Sequence, residues 1–495
     1  MPLSAPKYEV PRAFNASEHF IARHVREGRQ DKVAYIHDGG TITYGELADR
    51  TARFASALRS HRILPEQRVA LCMHDTPDFV VAFFGCLRAG VIPIPLNTLL
   101  TADDYQYLLA DSRAEAVFVS DVLVPKLPTS TRQFPTSTMA GFLGDAPPME
   151  HPFPTTSDDV AFWLYSSGST GRPKGAIHLH SHLLHTAKLY GENVLGMRDD
   201  DVVFSAAKLF FAYGLGNAMT FPLHAGATAV LMSERPTPAS VMGVLEKHQP
   251  TIFCGVPTLF AAMLADATTA TSKGSPRLRA SISAGEALPE HTGVRWRERF
   301  GTDILDGIGS TEMLHIFISN RHGDVKYGSS GKPVPGYEVK LEEETLWVKG
   351  PSSSIAYWNQ REKSLATFHG PWTCTGDRYT RDEDGYYTYS GRADDMLKVG
   401  GIWVSPFEVE SALSQHPAVL EAAVVGHGDE EGLIKPRAFV VLKPEHTASP
   451  ELAGELKAFV KSKIAHYKYP RWIDFVESLP KTATGKIQRF KLRRT

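Results

Sequence analysis

The chain has 495 residues, enough for about two to four domains. Apolar residues make up 42% and charged residues 22%, so ordinary buried cores can form at this length without disulfide or metal staples. Fifty-three Lys and Arg against 55 Asp and Glu leave a net charge of −2, which argues against nucleic acid or an anionic membrane surface as the main partner.

The opening MPLSAPKYEV lacks a basic start followed by an apolar core, so no signal peptide is expected. TYGELADR, from Thr43, has a capping Thr with Glu46 three residues on, a capping box at a helix start. RVALCMH reads as a buried strand. The longest apolar run, Phe79 to Leu87, is bounded by Asp78 and Arg88 and is far too short to span a bilayer. TADDYQYLL, from Thr101, repeats the capping device with Asp104, and AEAVFVS reads as a second buried strand. Alternation at this spacing predicts parallel βαβ units. Residues 121–157 are rich in Pro, Ser and Thr and predict a surface connection.

FWLY reads as extended, and AIHLH reads as another strand. Between them lies YSSGSTGRPKG, 165–175. It departs from the Walker A pattern, because Pro173 precedes Lys174 and Gly175 stands where Ser or Thr is required. A loop between two strands has no helix dipole. Anion binding there would rest on backbone N–H groups, on the hydroxyls Ser166, Ser167, Ser169 and Thr170, and on Lys174. On this stretch alone, a flexible polar hairpin tip and a phosphate cradle are both open. Further on, YYTYSGR reads as a strand. The stretch GRADDMLKVGG, 391–401, reads as a domain boundary. SPFEVESALSQH reads as a helix capped by Ser405 with Pro406 at its first position, and AVLEAAVVG is a short apolar run. Four cysteines, Cys72, Cys86, Cys254 and Cys374, form no CxxC, and three sit in apolar runs, which predicts reduced thiols. The expectation is a soluble cytoplasmic protein.

Four more segments stand in order after the loop: SAGEALP at 283–289, DGIGSTE at 306–312, TGDRY at 375–379 with GRADDMLK at 391–398, and PKTATGK at 480–486. Together with YSSGSTGRPKG they resemble the adenylate-forming superfamily of acyl-CoA synthetases, adenylation domains and firefly luciferase, over nearly the whole chain. KLFFAYGLGNA at 208–218, GIGSTEMLHIF at 307–317 and MLKVGGIWVSPFEVESAL at 396–413 are most similar to the benzoate–CoA ligase branch. The implied fold is α/β: a large N-terminal domain of parallel and mixed sheets with flanking helices, residues 1–393, and a small mobile α+β C-terminal domain, residues 394–495.

The implied chemistry answers a simple difficulty. A carboxylate is a poor acyl donor because its leaving group would be oxide. ATP converts it to an acyl adenylate, whose leaving group is AMP, and a thiol then takes the acyl group. The resemblance implies that the loop, Ser166, Ser167, Gly168, Ser169, Thr170, Gly171 and Lys174, embraces the β- and γ-phosphates. Thr311 would contact the α-phosphate, and Glu312 would hold Mg²⁺ as a hard carboxylate for a hard cation. Gly285, Glu286, Asp306, Gly307 and Ile308 would line the adenine, with Ile308 where many members place an aromatic. Asp377 would accept hydrogen bonds from both ribose hydroxyls, and Arg392 would lie beside the same nucleotide. Lys486 would be the catalytic lysine, bridging the substrate carboxylate and the α-phosphate.

Asp394 matches the family's hinge, about which the small domain rotates between the two half-reactions. Gly400 and Gly401 would then leave room for a narrow thiol-bearing arm. Phe211, Ala212, Tyr213, Gly309, His315 and Ile316 would surround the substrate ring, aromatic walls beside small residues. The co-substrates implied are ATP, coenzyme A and an aryl acid, benzoate or a substituted benzoate. Neither nucleic acid nor membrane is implied, and the enzyme would be a monomer or homodimer. Two rivals stay open: an adenylating enzyme that loads a separate carrier protein, and a non-catalytic sensor of nucleotide or aryl acid. The segments 121–157 and 339–350 are shorter than is usual for the family, the latter lacking the common Gly-containing turn.

Overall fold

The computed structural model describes residues 4–166, 172–392, 395–399, 402–430, 433–481 and 487–493. The long apolar run becomes the helix Pro77–Ala89, opened by Pro77 and closed by Gly90 in the left-handed region at φ 75°. It is buried almost all round, as a helix without a polar stripe must be. Beside it lies the helix Tyr44–Ser60, whose Thr43–Glu46 capping box forms as expected; the Thr101–Asp104 box does the same. A Cβ at Gly85 would fall 2.5 Å from Cδ1 of Phe54, which is fully buried.

Parallel units form as the alternation predicts. Ile92–Pro95, Arg68–Cys72, Ala116–Val119 and Gln133–Pro135 make one all-parallel sheet. The last of these strands lies in the stretch read as a surface connection, and that reading is corrected here. Met139, Phe142 and Met149 are buried, and Phe142 packs on Phe54 and Phe118 with ring centroids 5.1 and 4.9 Å apart. One apolar residue every few positions among Pro and Thr is enough to seal a sheet edge.

A second, nine-stranded sheet runs Lys332–Pro333, Ile316–Ser319, Ile304–Gly309, Ala280–Ser283, Ile252–Gly255, Val202–Ser205, Thr228–Val230, Val33–His37, Gly40–Thr43. Its six middle strands are parallel and its edge strands antiparallel. Between the two sheets, Val160–Ser166 and Lys174–Leu179 pair antiparallel, with Ser166 opposite Lys174. This is the expected hairpin, although its tip, 167–171, lies outside the described residues. An antiparallel sheet follows, in which Asp377 of Trp372–Arg381 faces Arg392 of Tyr387–Arg392. Glu338–Glu342 and Thr345–Lys349 close tightly in that sheet, with Glu343 and Glu344 both at positive φ, 48° and 64°, where glycine is usual.

The last hundred residues fold as a smaller α+β unit. Val419–Gly428 and Ile434–Leu442 pair antiparallel, Trp472–Phe475 adds in parallel, and the helices Pro406–Ser414 and Pro450–Lys463 cover one face. Ser405 caps the first helix by accepting the Glu408 N–H at 3.3 Å. The chain is thus a mixed α/β protein with a large N-terminal and a smaller C-terminal domain. All four cysteines are free, three of them buried. No helix among the described residues is long and apolar enough to cross a membrane.

Substituting Gly85 with Ala tests the helix contact. Ala adds about 1 kcal/mol of helix propensity, but overpacking against Phe54 costs about 1–3 kcal/mol. The variant is expected to lose about 1 kcal/mol net, read as a lower urea midpoint with an unchanged denaturant slope. A midpoint at or above wild type would contradict this packing.

Candidate active site

The carboxyl ends of the parallel strands Ala280–Ser283 and Ile304–Gly309 open onto the same side, where α/β sheets place their ligands. Glycines let the neighbouring chain come close. A Cβ at Gly307 would meet the Ile318 carbonyl at 2.7 Å, and one at Gly309 the His315 carbonyl at 2.6 Å. The DGIGSTE motif is therefore partly a packing requirement. Gly285, at φ 98°, turns the chain just beyond Ser283.

Three segments meet at Glu312. Tyr357 donates its hydroxyl to Glu312 Oε1 at 2.7 Å, and the Lys174 ammonium sits 4.2 Å above the Tyr357 ring centroid. Burial pulls Lys174 below the ordinary lysine range, and the charge of Glu312 opposes that pull. The backbones are laced as well. Ser354 N–H donates to the Glu312 carbonyl at 2.6 Å, and Trp358 N–H donates to Gly175 at 2.8 Å. His178 Nε2 lies 2.8 Å from the Thr311 carbonyl. Burial pushes this imidazole down to about 4, so at neutral pH it is a neutral N–H donor.

On the far wall, Asp377 Oδ1 accepts from Arg392 at 3.4 Å. Gly376, at φ 72°, is needed there: a Cβ would lie 3.0 Å from the Arg392 guanidinium. A cavity of about 1450 Å³ joins these groups. Of the residues singled out in the sequence, Ser166, Lys174, Phe211, Gly285, Glu286, Gly307, Ile308, Gly309, Thr311, Glu312, Asp377 and Arg392 line it. Asp306, Ala212, Tyr213, His315 and Ile316 are not among the lining residues.

Ala212 and Tyr213 follow Phe211 directly and open the helix Ala212–Leu215. Tyr213 donates to the Gly255 and Ile282 carbonyls at 3.1 and 2.9 Å, and His315 Nε2 lies 3.3 Å from the Tyr213 carbonyl. Burial pushes His315 down to about 3, so it stays neutral among Tyr190, Tyr213 and Phe221. Asp75 steadies the same segment from below, both of its oxygens accepting from Leu209 N–H at 3.2 and 3.3 Å. Burial raises Asp306 well above the ordinary carboxylate value. Ser167, Gly168, Ser169, Thr170, Gly171, Asp394, Gly400, Gly401 and Lys486 lie outside the described residues.

Some lining residues escaped sequence reasoning. Tyr357 sits in SSSIAYWN, which carries no pattern of its own. Asp395, Glu410, Lys481 and Arg489 reach the cavity from the small domain. For Arg489 the one available signal was its place three residues after Lys486.

Residues 21–358 match the family described as AMP-binding enzyme, and 408–486 match the AMP-binding enzyme C-terminal domain. This chain belongs to the AMP-binding enzyme family. Among curated members, it is 55% identical to the benzoate–CoA ligase of Thauera aromatica, over 99% of this chain and 97% of that one. It is 49% identical to the 4-hydroxybenzoate–CoA/benzoate–CoA ligase of Rhodopseudomonas palustris, over 97% and 94%. Among solved AMP-binding enzymes, a benzoate CoA ligase from Burkholderia xenovorans LB400 superposes with a TM-score of 0.92 at 52% identity, covering 97% of this chain and 100% of that one. An anthranilate CoA ligase solved with anthranoyl-AMP superposes with a TM-score of 0.93 at 40% identity, covering 98% of each.

Tyr357 gives this AMP-binding enzyme a test of its own. Tyr357→Phe removes a hydrogen bond to a carboxylate, a contact of about 1.5–3 kcal/mol. With the ring under Lys174 kept, kcat/KM for ATP is expected to fall about 10- to 100-fold, measured as AMP formation. An unchanged value would make the Tyr357–Glu312 contact incidental.

Proposed function

We propose that this chain is an AMP-forming aryl-CoA ligase whose acid is benzoate or a substituted benzoate. One observation carries the reading: a single cavity brings together Lys174 with Glu312, Asp377 with Arg392, and the apolar surfaces of Phe211 and Ile308. A cation beside a carboxylate suits a polyphosphate, the two acceptor oxygens of Asp377 suit a ribose, and a partly apolar wall suits a ring. The names of the similar ligases agree with an aryl acid.

In this reading a benzoate oxygen attacks the α-phosphorus of ATP and diphosphate leaves, which makes the aryl adenylate. The thiol sulfur of coenzyme A then attacks the acyl carbon, loses its proton, and AMP leaves with both electrons of the broken C–O bond. Ser166, the loop 167–171 and Lys174 hold the departing diphosphate. Thr311 touches the α-phosphate. Gly285, Glu286, Asp306, Gly307 and Ile308 form the adenine side, and Asp377 binds the ribose. Lys486 neutralises the two anions as they approach and the charge that grows in the transition state. Ala212, Tyr213, Gly309, His315 and Ile316 shape the ring pocket together with Phe211.

Glu312 fits Mg²⁺, which keeps most of its ligands as water and substrate phosphate and needs one or two carboxylates from the protein. When bound, the ion would screen phosphate charge. The domain division at 394 is supported by the hydrophobic clusters, since those built from residue 397 onward contain nothing from earlier in the chain. Rotation about Asp394 would exchange Lys486 for Gly400 and Gly401 at the site. The enzyme works in the cytoplasm, as a monomer or homodimer.

A panel of aryl and alkyl acids, with and without coenzyme A, tests this. AMP release is expected with benzoate-like acids and to depend on coenzyme A; Lys486→Ala is expected to slow it about 100-fold or more. Release that is absent with benzoate, or indifferent to coenzyme A, would favour the carrier-loading or sensor reading. Normal turnover in Lys486→Ala would remove the lysine from its role.

A further inference from the structure

The small domain presents a buried cluster of charge to the cavity. Arg489 donates from Nε to Glu410 Oε1 at 3.1 Å and from a terminal nitrogen to Oε2 at 2.7 Å, a two-pronged pairing. Its other terminal nitrogen lies 3.7 Å from Asp395, which also pairs with Arg493. Glu410 accepts the Val424 N–H at 2.7 Å as well. The Arg489, Glu410 and Asp395 side chains are 20%, 8% and 15% exposed.

Two anions and two cations balance, yet such clusters are poor sources of stability, because desolvation offsets most of the attraction. What they do supply is direction: a guanidinium fork accepts one orientation, where an apolar contact accepts several. The cluster joins distant parts of the chain. Asp395 stands at the start of the small domain, Glu410 on the helix Pro406–Ser414, Val424 on the strand Val419–Gly428, and Arg489 in the last helical turn.

Arg489 also belongs to a stem fixed from both sides. Lys481 bridges to Ile487, and Gln488 N–H donates to the Pro480 carbonyl at 2.8 Å. The Lys481 ammonium binds Glu421 at 2.6 Å on the same strand as Val424. The paired ends at 480, 481, 487 and 488 are followed at once by the Arg489 fork.

We propose that Arg489, held by Glu410 and Asp395, is a positioning residue that orients the stem carrying Lys486 for adenylate formation. This rests on the reading of Lys486 given above. A positioning role predicts a split between the two half-reactions, because the lysine serves the first and leaves for the second.

The test uses the full chain with Arg489→Lys, which keeps the charge and loses the fork, and Glu410→Gln, which keeps the shape. Diphosphate formation from ATP and benzoate should slow on the order of 10- to 100-fold, as misplacement of a catalytic group does. Transfer to coenzyme A from supplied benzoyl-AMP should stay within about twofold of wild type, since this step makes no use of that lysine. Equal loss of both rates in both variants, or loss of neither, would overturn the positioning role. Wild-type protein that forms no diphosphate with benzoate, or Lys486→Ala that forms it normally, would overturn the underlying reading and the proposal with it. A normal wild type, a defective Lys486→Ala and an unaffected Arg489→Lys would overturn the proposal alone.

Discussion

The carboxylate of Glu312 is the point on which the large domain closes. It accepts from Tyr357, feels Lys174 across the Tyr357 ring, and its own backbone carbonyl is tied to Ser354. Together with Glu312 these residues come from three segments, and none could hold that geometry alone. A half-buried carboxylate beside a half-buried ammonium is tolerable only if both are hydrogen-bonded or matched in charge. The hairpin, the strand Ile304–Gly309 and the segment 354–358 are therefore obliged to meet there. The same unspent charge is what a polyphosphate would use.

The small domain follows a similar rule with a different result. Its charges at Arg489, Glu410, Asp395 and Arg493 mostly satisfy one another, so they organise the inner face rather than offer a vacant cation. The cavity thus has one wall matched to ligand and one wall matched to itself. If the small domain turns between two half-reactions, as proposed, such internal rigidity keeps the position of any group it delivers well defined.

Local signals in the sequence carried over well. The Thr43 and Thr101 caps, the Ser405 cap, the strand–loop–strand at 160–179 and the parallel strands around Arg68–Cys72 follow from rules that act within a few residues. What depended on distant pairing was harder. Gln133–Pro135 is a parallel edge strand whose partner, Ala116–Val119, precedes it by more than a dozen residues, and Phe142 is the sparse signal that the segment is anchored. The residues proposed for the nucleotide side were legible as motifs because backbone geometry and chemistry coincide in them: Gly307 and Gly309 allow strands to touch, and Thr311 and Glu312 follow immediately. Tyr357 was not legible, since its role arises only where three segments cross. Ala212, Tyr213 and His315 came from resemblance, and they stand just off the cavity, bonded to strand ends and to each other.

The central claim is that the acid's own oxygen attacks phosphorus within this cavity. Benzoate labelled with ¹⁸O in both carboxylate oxygens tests it directly, with turnover in the presence of ATP and coenzyme A and mass analysis of the nucleotide. The account predicts AMP carrying one ¹⁸O and unlabelled diphosphate. AMP free of label, or label in a phosphate product instead, would contradict it.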